Sequence, residues 1–269
     1  MKDDLFYSRT FAAINSDLDF MKRLRVSRLF TWLQDVAGLH VEEMGVGLDY
    51  LHVRRGIAWI IMRMRVEISR LPSLYEEVSV ETWPLRPRGV FHRDFRIVDK
   101  DGACIVRAAS VWILMDMESR TLIKDSQAGF RFDNYREERA IDRKLVQLRA
   151  PDGLSPVYER ALKYSDADYN AHTNNTRYLD YAMDCMDMDF LRTYRPGAVE
   201  VDFINESKPG DKITLFESPM TDIESEPVIY IEGKNSDTGM TIFKTRMEYI
   251  KDDRRQTDGA DAPPVILVK

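Results

Sequence analysis

The stretch Asp166-Ala-Asp-Tyr-Asn-Ala-His-Thr-Asn-Asn-Thr-Arg-Tyr-Leu-Asp-Tyr-Ala-Met-Asp184 decides the fold, because the chain contains a second copy of it. That copy is Asp17-Leu-Asp-Phe-Met-Lys-Arg-Leu-Arg-Val-Ser-Arg-Leu-Phe-Thr-Trp-Leu-Gln-Asp35, which begins 149 residues earlier (166 − 17). At this constant offset Asp19 matches Asp168, and the apolar positions of a helix follow in both copies. A fixed internal period indicates one structural unit used twice.

The pattern around each copy predicts a strand, a long helix and then four antiparallel strands. Apolar residues recur at helical spacing over 26–44, and the corresponding second-half helix is expected near 175–190. Period-two or apolar runs bounded by turn residues predict the strands. They are expected at 5–14, 60–68, 76–83, 89–98 and 103–116, and again at 199–204, 212–216, 227–234 and 240–250.

The later landmarks repeat at a shorter offset of 137, from Pro72 to Pro209 and from Gly102 to Gly239. The second copy is therefore 12 residues shorter (149 − 137) between its helix and its first long strand. We expect an α+β fold in which two antiparallel sheets each wrap a long helix and pair edge to edge within one chain, which protects exposed strand edges.

This organisation divides the chain into four parts. We expect an N-terminal unit over 1–124, a linker over 125–155, a C-terminal unit over 156–250 and a loose tail over 251–269. The linker is rich in charge and poor in strand pattern, which is typical of a solvated helix or an extended crossing segment.

Composition restricts the classes of function. The net charge of −6 argues mildly against broad nucleic-acid binding, and no run reaches the length of a membrane span. The N-terminus lacks the apolar core of a signal peptide. The two cysteines, Cys104 and Cys185, have no metal or redox spacing, which fits a reducing cytoplasm. We predict no metal and no cofactor.

A polar cluster distinguishes the second copy from the first. It comprises Asp168, Asn170, His172, Asn174 and Asn175. In an extended segment the first three side chains would face the same way. The two following asparagines occupy N-cap positions, so the cluster would lie at a helix N-terminus, where free N–H groups favour an oxyanion. The first copy has no such cluster, and its equivalents of the last four are Met21, Arg23, Arg25 and Val26.

The segment Asp166–Tyr178 resembles the Asp-x-Asn-x-His-x-Asn-Asn-x-x-Tyr motif of the acyl-ACP thioesterases, the plant plastid enzymes and their bacterial relatives. That family also has a strand Glu about 34 residues past the histidine, and Glu206 lies 34 residues past His172. The segment Val111–Leu122 looks like the one that closes the family's first hotdog. The resemblance covers roughly residues 5–250.

The resemblance implies a tandem hotdog that hydrolyses fatty acyl-ACP, with acyl carrier protein bearing an acyl-phosphopantetheine as its partner. Glu206 and His172 would hold and deprotonate a water, and which of the two is the base stays open. Asn170 would position the thioester or steady the oxyanion, together with N–H groups near Asn174 and Asn175. Asp168 would orient His172 or Asn170, although its match to Asp19 also suits a bracing role.

One position departs from the plant pattern. Ser207 stands where plant members often have Cys, a residue once proposed as a nucleophile. A serine could not replace a thiolate without a strong base, so we expect Ser207 to line the site and the site to activate water.

Other features allow two interpretations. Arginines of the first half are either solvated or form a patch for the acidic carrier protein; they are Arg23, Arg25, Arg28, Arg54, Arg55, Arg86 and Arg88. Residues 59–64 and 115–117 are either core or the lining of an acyl tunnel. The alternatives to an acyl-ACP thioesterase are an acyl-CoA thioesterase of the same fold and a non-catalytic acyl-binding or dehydratase-like protein. Association into a homodimer is optional.

Overall fold

The computed structural model describes residues 5–221 and 226–252. Its N-terminal half contains β1 (Tyr7–Ala12), α1 (Val26–Glu43), β2 (Ile57–Ile68), β3 (Glu77–Pro84), β4 (Phe91–Val98), β5 (Cys104–Asp116) and the short β6 (Leu122–Ile123). Its C-terminal half contains β7 (Ser155–Ala161), α2 (Arg177–Asp184), α3 (Met188–Thr193), β8 (Tyr194–Phe203), β9 (Lys212–Glu217), β10 (Val228–Asn235) and β11 (Thr241–Lys251).

The strands form one antiparallel sheet in the order β1-β3-β4-β5-β2-β8-β11-β10-β9-β7, with β6 paired to β5. The order in one half mirrors the order in the other. The halves meet where β2 pairs with β8, with Val66 opposite Val199. The expected α+β tandem hotdog is confirmed, and edge pairing makes its two sheets continuous.

The core lies on the helix-bearing face of this sheet. Leu29, Phe30, Leu33 and Val36 recur at helical spacing along α1 and are buried. They belong to one apolar cluster that also takes in side chains of both halves of the sheet. The expected helix over 26–44 is confirmed.

The second-half helix differs from the expected single helix over 175–190. It breaks into α2 and α3, because the Asp187 carboxylate accepts hydrogen bonds from the N–H groups of Asp189 (2.7 Å) and Phe190 (3.2 Å). These bonds cap a new helix in a new direction. The apolar period runs through the break, so periodicity alone does not reveal it.

The segment between the halves is extended, apart from one helical turn at Asp125–Gln127. Ile141 and Leu145 pack on Ala109 and Val111 in a cluster separate from the main core. Since β5 residues alternate between faces, the segment covers the face of the sheet opposite α1. Its backbone is anchored where the Leu148 N–H donates to the Asp202 carboxylate (2.7 Å). Apart from that one turn, the segment between the halves contains no helix among its described residues, which disfavours the solvated-helix interpretation.

Two further expectations need comment. Of the tail over 251–269, residues 253–269 lie outside the described residues. Within the described ranges, no helix has the length and apolarity needed to cross a membrane.

Candidate active site

The segment that carries the polar cluster is a tight turn and not the extended run expected from its alternation. Asp168 Oδ1 accepts hydrogen bonds from the N–H groups of Asn170 (2.8 Å) and His172 (3.2 Å), and the Asp168 N–H donates to the His172 carbonyl (2.7 Å). Ala171 adopts a left-handed φ of 62° to close the turn. Asp168 thus sets the position of the two residues through their backbone.

The first copy contains the same turn without the chemistry. Asp19 Oδ1 accepts from the N–H groups of Met21 (2.8 Å) and Arg23 (2.9 Å), and Lys22 has φ 57°. Arg23 occupies the position of His172, is buried, and pairs with Asp19 and Asp252. The shared geometry assigns Asp19 and Asp168 a common bracing role, and it removes Arg23 from the proposed carrier-protein patch.

The start of α2 offers fewer free donors than expected. The Asn174 N–H already donates to the Asp166 carbonyl (2.8 Å), so it is not available to an oxyanion. Asn174 Oδ1 accepts from the Thr176 N–H (3.0 Å), which caps the turn before α2. The Asn175 N–H makes no hydrogen bond with any described residue and remains a candidate donor.

Glu206 lies in the loop after β8, and its expected place on the strand is wrong. The ladder with β11 ends at Phe203, opposite Phe243. The N–H groups of Ile204 and Asn205 then both donate to the Ile242 carbonyl (2.8 and 3.0 Å), which turns the chain out of the sheet. This turn directs the next residues towards the Asp168–His172 turn.

The loop brings Glu206 to His172. The Nε2 atom of His172 and the Oε2 atom of Glu206 are 3.8 Å apart, and both side chains are 40 % exposed. This separation is too long for a direct hydrogen bond, yet one water can reach both atoms. The same Oε2 atom lies 2.5 Å from Nη2 of Arg120, a residue that the sequence did not single out.

Ser207 is held in a buried hydroxyl network. Its hydroxyl donates to Thr173 Oγ1 (2.9 Å) and lies 2.9 Å from the Tyr178 hydroxyl, while the Thr173 N–H donates to the Ser207 carbonyl (2.7 Å). Burial raises the pKa of Tyr178, so that phenol is no base for the serine. Ser207 fastens the Glu206 loop to the His172 turn, and the expectation that it is not a nucleophile stays a prediction.

A cavity of about 1400 Å³ opens at this polar cluster. At this end it is lined by Asp168, Asn170, His172, Asn175 and Glu206. Its walls come from the N-terminal half and the segment that follows it: Leu51, Ile57, Trp59–Met62, Phe91, Met115, Met117, Phe130 and Phe132. Met64, in contrast, is fully buried in the core. Residues 59–62, Met115 and Met117 thus line a cavity, whereas Met64 belongs to the core.

Arg93 is a buried charged residue on the cavity wall. Burial lowers its pKa to about 9, and its Nη1 lies 2.9 Å from Nδ1 of His40.

Cysteine chemistry has no support in this site. Neither Cys104 nor Cys185 lines the cavity, and burial raises the pKa of Cys185 to about 12. The described part of the chain also holds no group of three His, Cys, Asp or Glu residues placed to bind a metal ion.

Sequence reasoning missed two sets of residues. Arg120 gives no signal of its own, because a lone arginine after a strand is ordinary. The charged segment over 125–155, predicted to be a linker, also supplies part of the cavity wall through Phe130, Phe132 and Tyr135. Three aromatic residues within six positions of a charged segment were the available signal.

The fold and the site together define a double-hotdog protein with a polar cluster at one end of a largely apolar cavity. The sequence models of the acyl-ACP thioesterase N-terminal and C-terminal domains match residues 4–126 and 155–251 respectively. The chain belongs to the acyl-ACP thioesterase family, whose members are thioester hydrolases.

Relatives of known name agree with this assignment. The chloroplastic oleoyl-acyl carrier protein thioesterase of Coriandrum sativum is 26% identical over 257 residues, covering 87% of this chain and 68% of the relative. An acyl-ACP thioesterase structure from Bacteroides thetaiotaomicron matches with a TM-score of 0.80 and 26% identity, over 93% of this chain and 100% of that one. The 12:0-ACP thioesterase of Umbellularia californica shares the fold, with a TM-score of 0.77 at 18% identity over 93% of this chain and 95% of its own.

Proposed function

We propose that this protein hydrolyses fatty acyl-ACP to free fatty acid and acyl carrier protein by activating water between His172 and Glu206. The observation that carries the proposal is the 3.8 Å separation of the two side chains at the mouth of an apolar cavity. One water within reach of both atoms can lose its proton as it attacks the thioester carbonyl.

The remaining polar groups have supporting roles. A thioester is already activated, so its hydrolysis needs a positioned water, a base and donors for the oxyanion. Asn170 and the free Asn175 N–H supply donors at the cavity mouth. Asp168 braces the turn that carries His172. Loss of His172, Glu206 or Asn170 is expected to reduce the rate by roughly 10²- to 10⁴-fold.

The cavity supports an acyl chain as the group that is bound. At about 1400 Å³ it is larger than a typical small-ligand pocket, so it has room for a long chain and part of the pantetheine arm. Because its apolar walls come largely from β2, β4 and β5, we assign acyl-chain binding to the N-terminal unit (1–124) and hydrolysis to the C-terminal unit (156–250), with 125–155 as the linker.

The partner is acyl carrier protein carrying an acyl-phosphopantetheine, as the names of the relatives suggest. Of the proposed docking arginines, Arg54 is 69 % exposed and pairs with Asp49, which is 67 % exposed. A reducing cytoplasm is the compartment we propose, since the Cys104 and Cys185 thiols are free. Homodimer formation remains an optional addition, because the two hotdogs already pair within the chain.

The test is thiol release from a panel of acyl-ACPs and matching acyl-CoAs, with His172→Ala as the inactive control. Fast release from the ACP esters, weak release from the CoA esters and an inactive variant support the proposal, and the panel gives the preferred chain length. Equal turnover of CoA esters would move the assignment to an acyl-CoA thioesterase. Tight acyl binding without turnover by the folded protein would make it a binding protein.

A further inference from the structure

Glu206 has a second ionic neighbour, which comes from the other hotdog. Arg120 Nη2 is 2.5 Å from Glu206 Oε2, and Nη1 is 3.5 Å from Oε1, so the guanidinium faces both carboxylate oxygens. Among the described residues, Arg120 is the one hydrogen-bond donor to this carboxylate. His172 lies beyond direct hydrogen-bond range of it.

The turn that presents Arg120 is itself well fixed. It follows β5 and is braced by Asp116, whose Oδ1 accepts from the N–H groups of Glu118 (3.2 Å) and Ser119 (2.8 Å). The Asp116 N–H donates to the Thr121 carbonyl (2.9 Å), and β6 then pairs back on β5. Arg120 therefore projects from a closed hairpin and not from a free loop.

The backbone of Arg120 is strained. Its φ of 56° lies in the left-handed region, which residues with a Cβ rarely adopt. The side chains of Arg120 and Glu206 are 51 % and 40 % exposed, and ion pairs as exposed as this one add little to stability. The pair does not offset the strain, and strain kept at the mouth of a cavity points to a functional reason.

We infer that Arg120 is a positioning residue for the hydrolysis: from the N-terminal half, it holds the Glu206 carboxylate in one orientation beside His172. This inference rests on the proposed function. A glutamate side chain on a loop can adopt several rotamers, and a bidentate contact with a guanidinium selects one of them. The active site is then completed by the half that lacks the Asp168–His172 cluster, which explains how the two hotdogs depend on each other.

The first test is the kinetics of Arg120→Gln. A carboxylate misplaced by about 1 Å costs up to roughly 10²-fold, so we expect kcat to fall by about 10- to 100-fold with little change in KM. Arg120→Lys should recover part of the rate, because lysine keeps the charge but not the planar guanidinium that contacts both carboxylate oxygens.

Two controls separate positioning from other roles. Arg192→Gln removes a comparable exposed arginine that pairs with Asp189 on α3, and it should leave both kcat and KM unchanged. An acyl-N-acetylcysteamine thioester lacks both carrier protein and phosphate, so positioning predicts the same fall in kcat on it as on acyl-ACP. A loss seen only as a higher KM for acyl-ACP would make Arg120 a carrier-protein contact and overturn the inference.

The decisive comparison is made in the Glu206→Gln background. If Arg120 acts through Glu206, adding Arg120→Gln there should cause less than a twofold further loss, whereas a full further loss contradicts the inference. A crystal structure of Arg120→Gln tests the same point without turnover: Glu206 should leave its position near His172. If the Glu206 carboxylate did not move in this structure, the positioning role would be refuted, whether or not the wild-type protein hydrolyses thioesters. If the wild-type protein hydrolysed no thioester, that finding by itself would refute only the proposed function.

Discussion

Ser207→Ala tests whether the buried serine fastens the site or attacks the substrate. The change removes a donor to Thr173 and the contact with the Tyr178 hydroxyl. Each such hydrogen bond contributes about 0.5–1.5 kcal/mol, so we expect the free energy of unfolding to fall by about 2 kcal/mol. At roughly 2–4 °C per kcal/mol for a chain of about this size, Tm should fall by about 4–8 °C.

Activity should change far less than stability. A fastening residue leaves His172 and Glu206 in place once the protein is folded, so kcat/KM for acyl-ACP should stay within about tenfold of the wild type. Both quantities are measured on the same preparation, by thermal unfolding and by thiol release. A fall of 10³-fold or more with the fold retained would make Ser207 the nucleophile and refute water activation.

Ser110 provides a matched control, since it is similarly buried, makes two hydrogen bonds and does not itself line the cavity. Its hydroxyl donates to the Arg93 carbonyl (3.0 Å) and accepts from Trp112 Nε1 (2.7 Å). Ser110→Ala should lower Tm by a similar amount and leave the rate unchanged. A loss of activity in this control would show that kinetics in this fold simply follow stability.

Two further changes probe the support of the turn and the cavity wall. Burial alone would raise the pKa of Asp166, but hydrogen bonds from the Lys163 N–H, Tyr181 and Arg160 outweigh it and lower the pKa. The stabilisation that follows is present above the ordinary value of 3.8 and is lost as pH falls through the lower folded-state pKa. Asp166→Asn should therefore lower the free energy of unfolding by roughly 3 kcal/mol at pH 7. Measured by urea unfolding, this difference from the wild type should shrink below about pH 4. A difference that did not change with pH would exclude the charge of Asp166 as its cause. Phe130→Ala enlarges the cavity at one of its aromatic wall residues. Between acyl chains that differ by two carbons, the preference should shift by about tenfold towards the longer one, as measured with the acyl-ACP panel. An unchanged chain-length profile would show that Phe130 does not contact the acyl chain.

The repeat made most of the fold predictable. Offsets of 149 and 137 depend only on matching residues, and β4 and β10 begin at Phe91 and Val228, 137 positions apart. The break between α2 and α3 was not predictable from periodicity, because the cap at Asp187 interrupts the backbone without interrupting the apolar pattern.

The family resemblance singled out His172 and Glu206, and the structure places their side chains 3.8 Å apart. Their catalytic roles stay predictions, and the geometry around them was not predictable. The alternation at Asp168 was misread as extended, because a side chain that binds its own backbone folds the segment into a turn. Arg120 could not be singled out from the sequence, since the role that we propose for it depends on a contact between residues 86 positions apart in two different hotdogs.

The central claim is that His172 and Glu206 act as one unit on one water. The direct measurement is kcat/KM for acyl-ACP in His172→Ala, Glu206→Gln and the double variant, with folding checked by thermal unfolding. Each single change should cost roughly 10²- to 10⁴-fold, and the double variant should be no slower than the slower single one, because groups that act together are not additive. Losses that multiply in the double variant, or near-native turnover in either single one, would contradict the account.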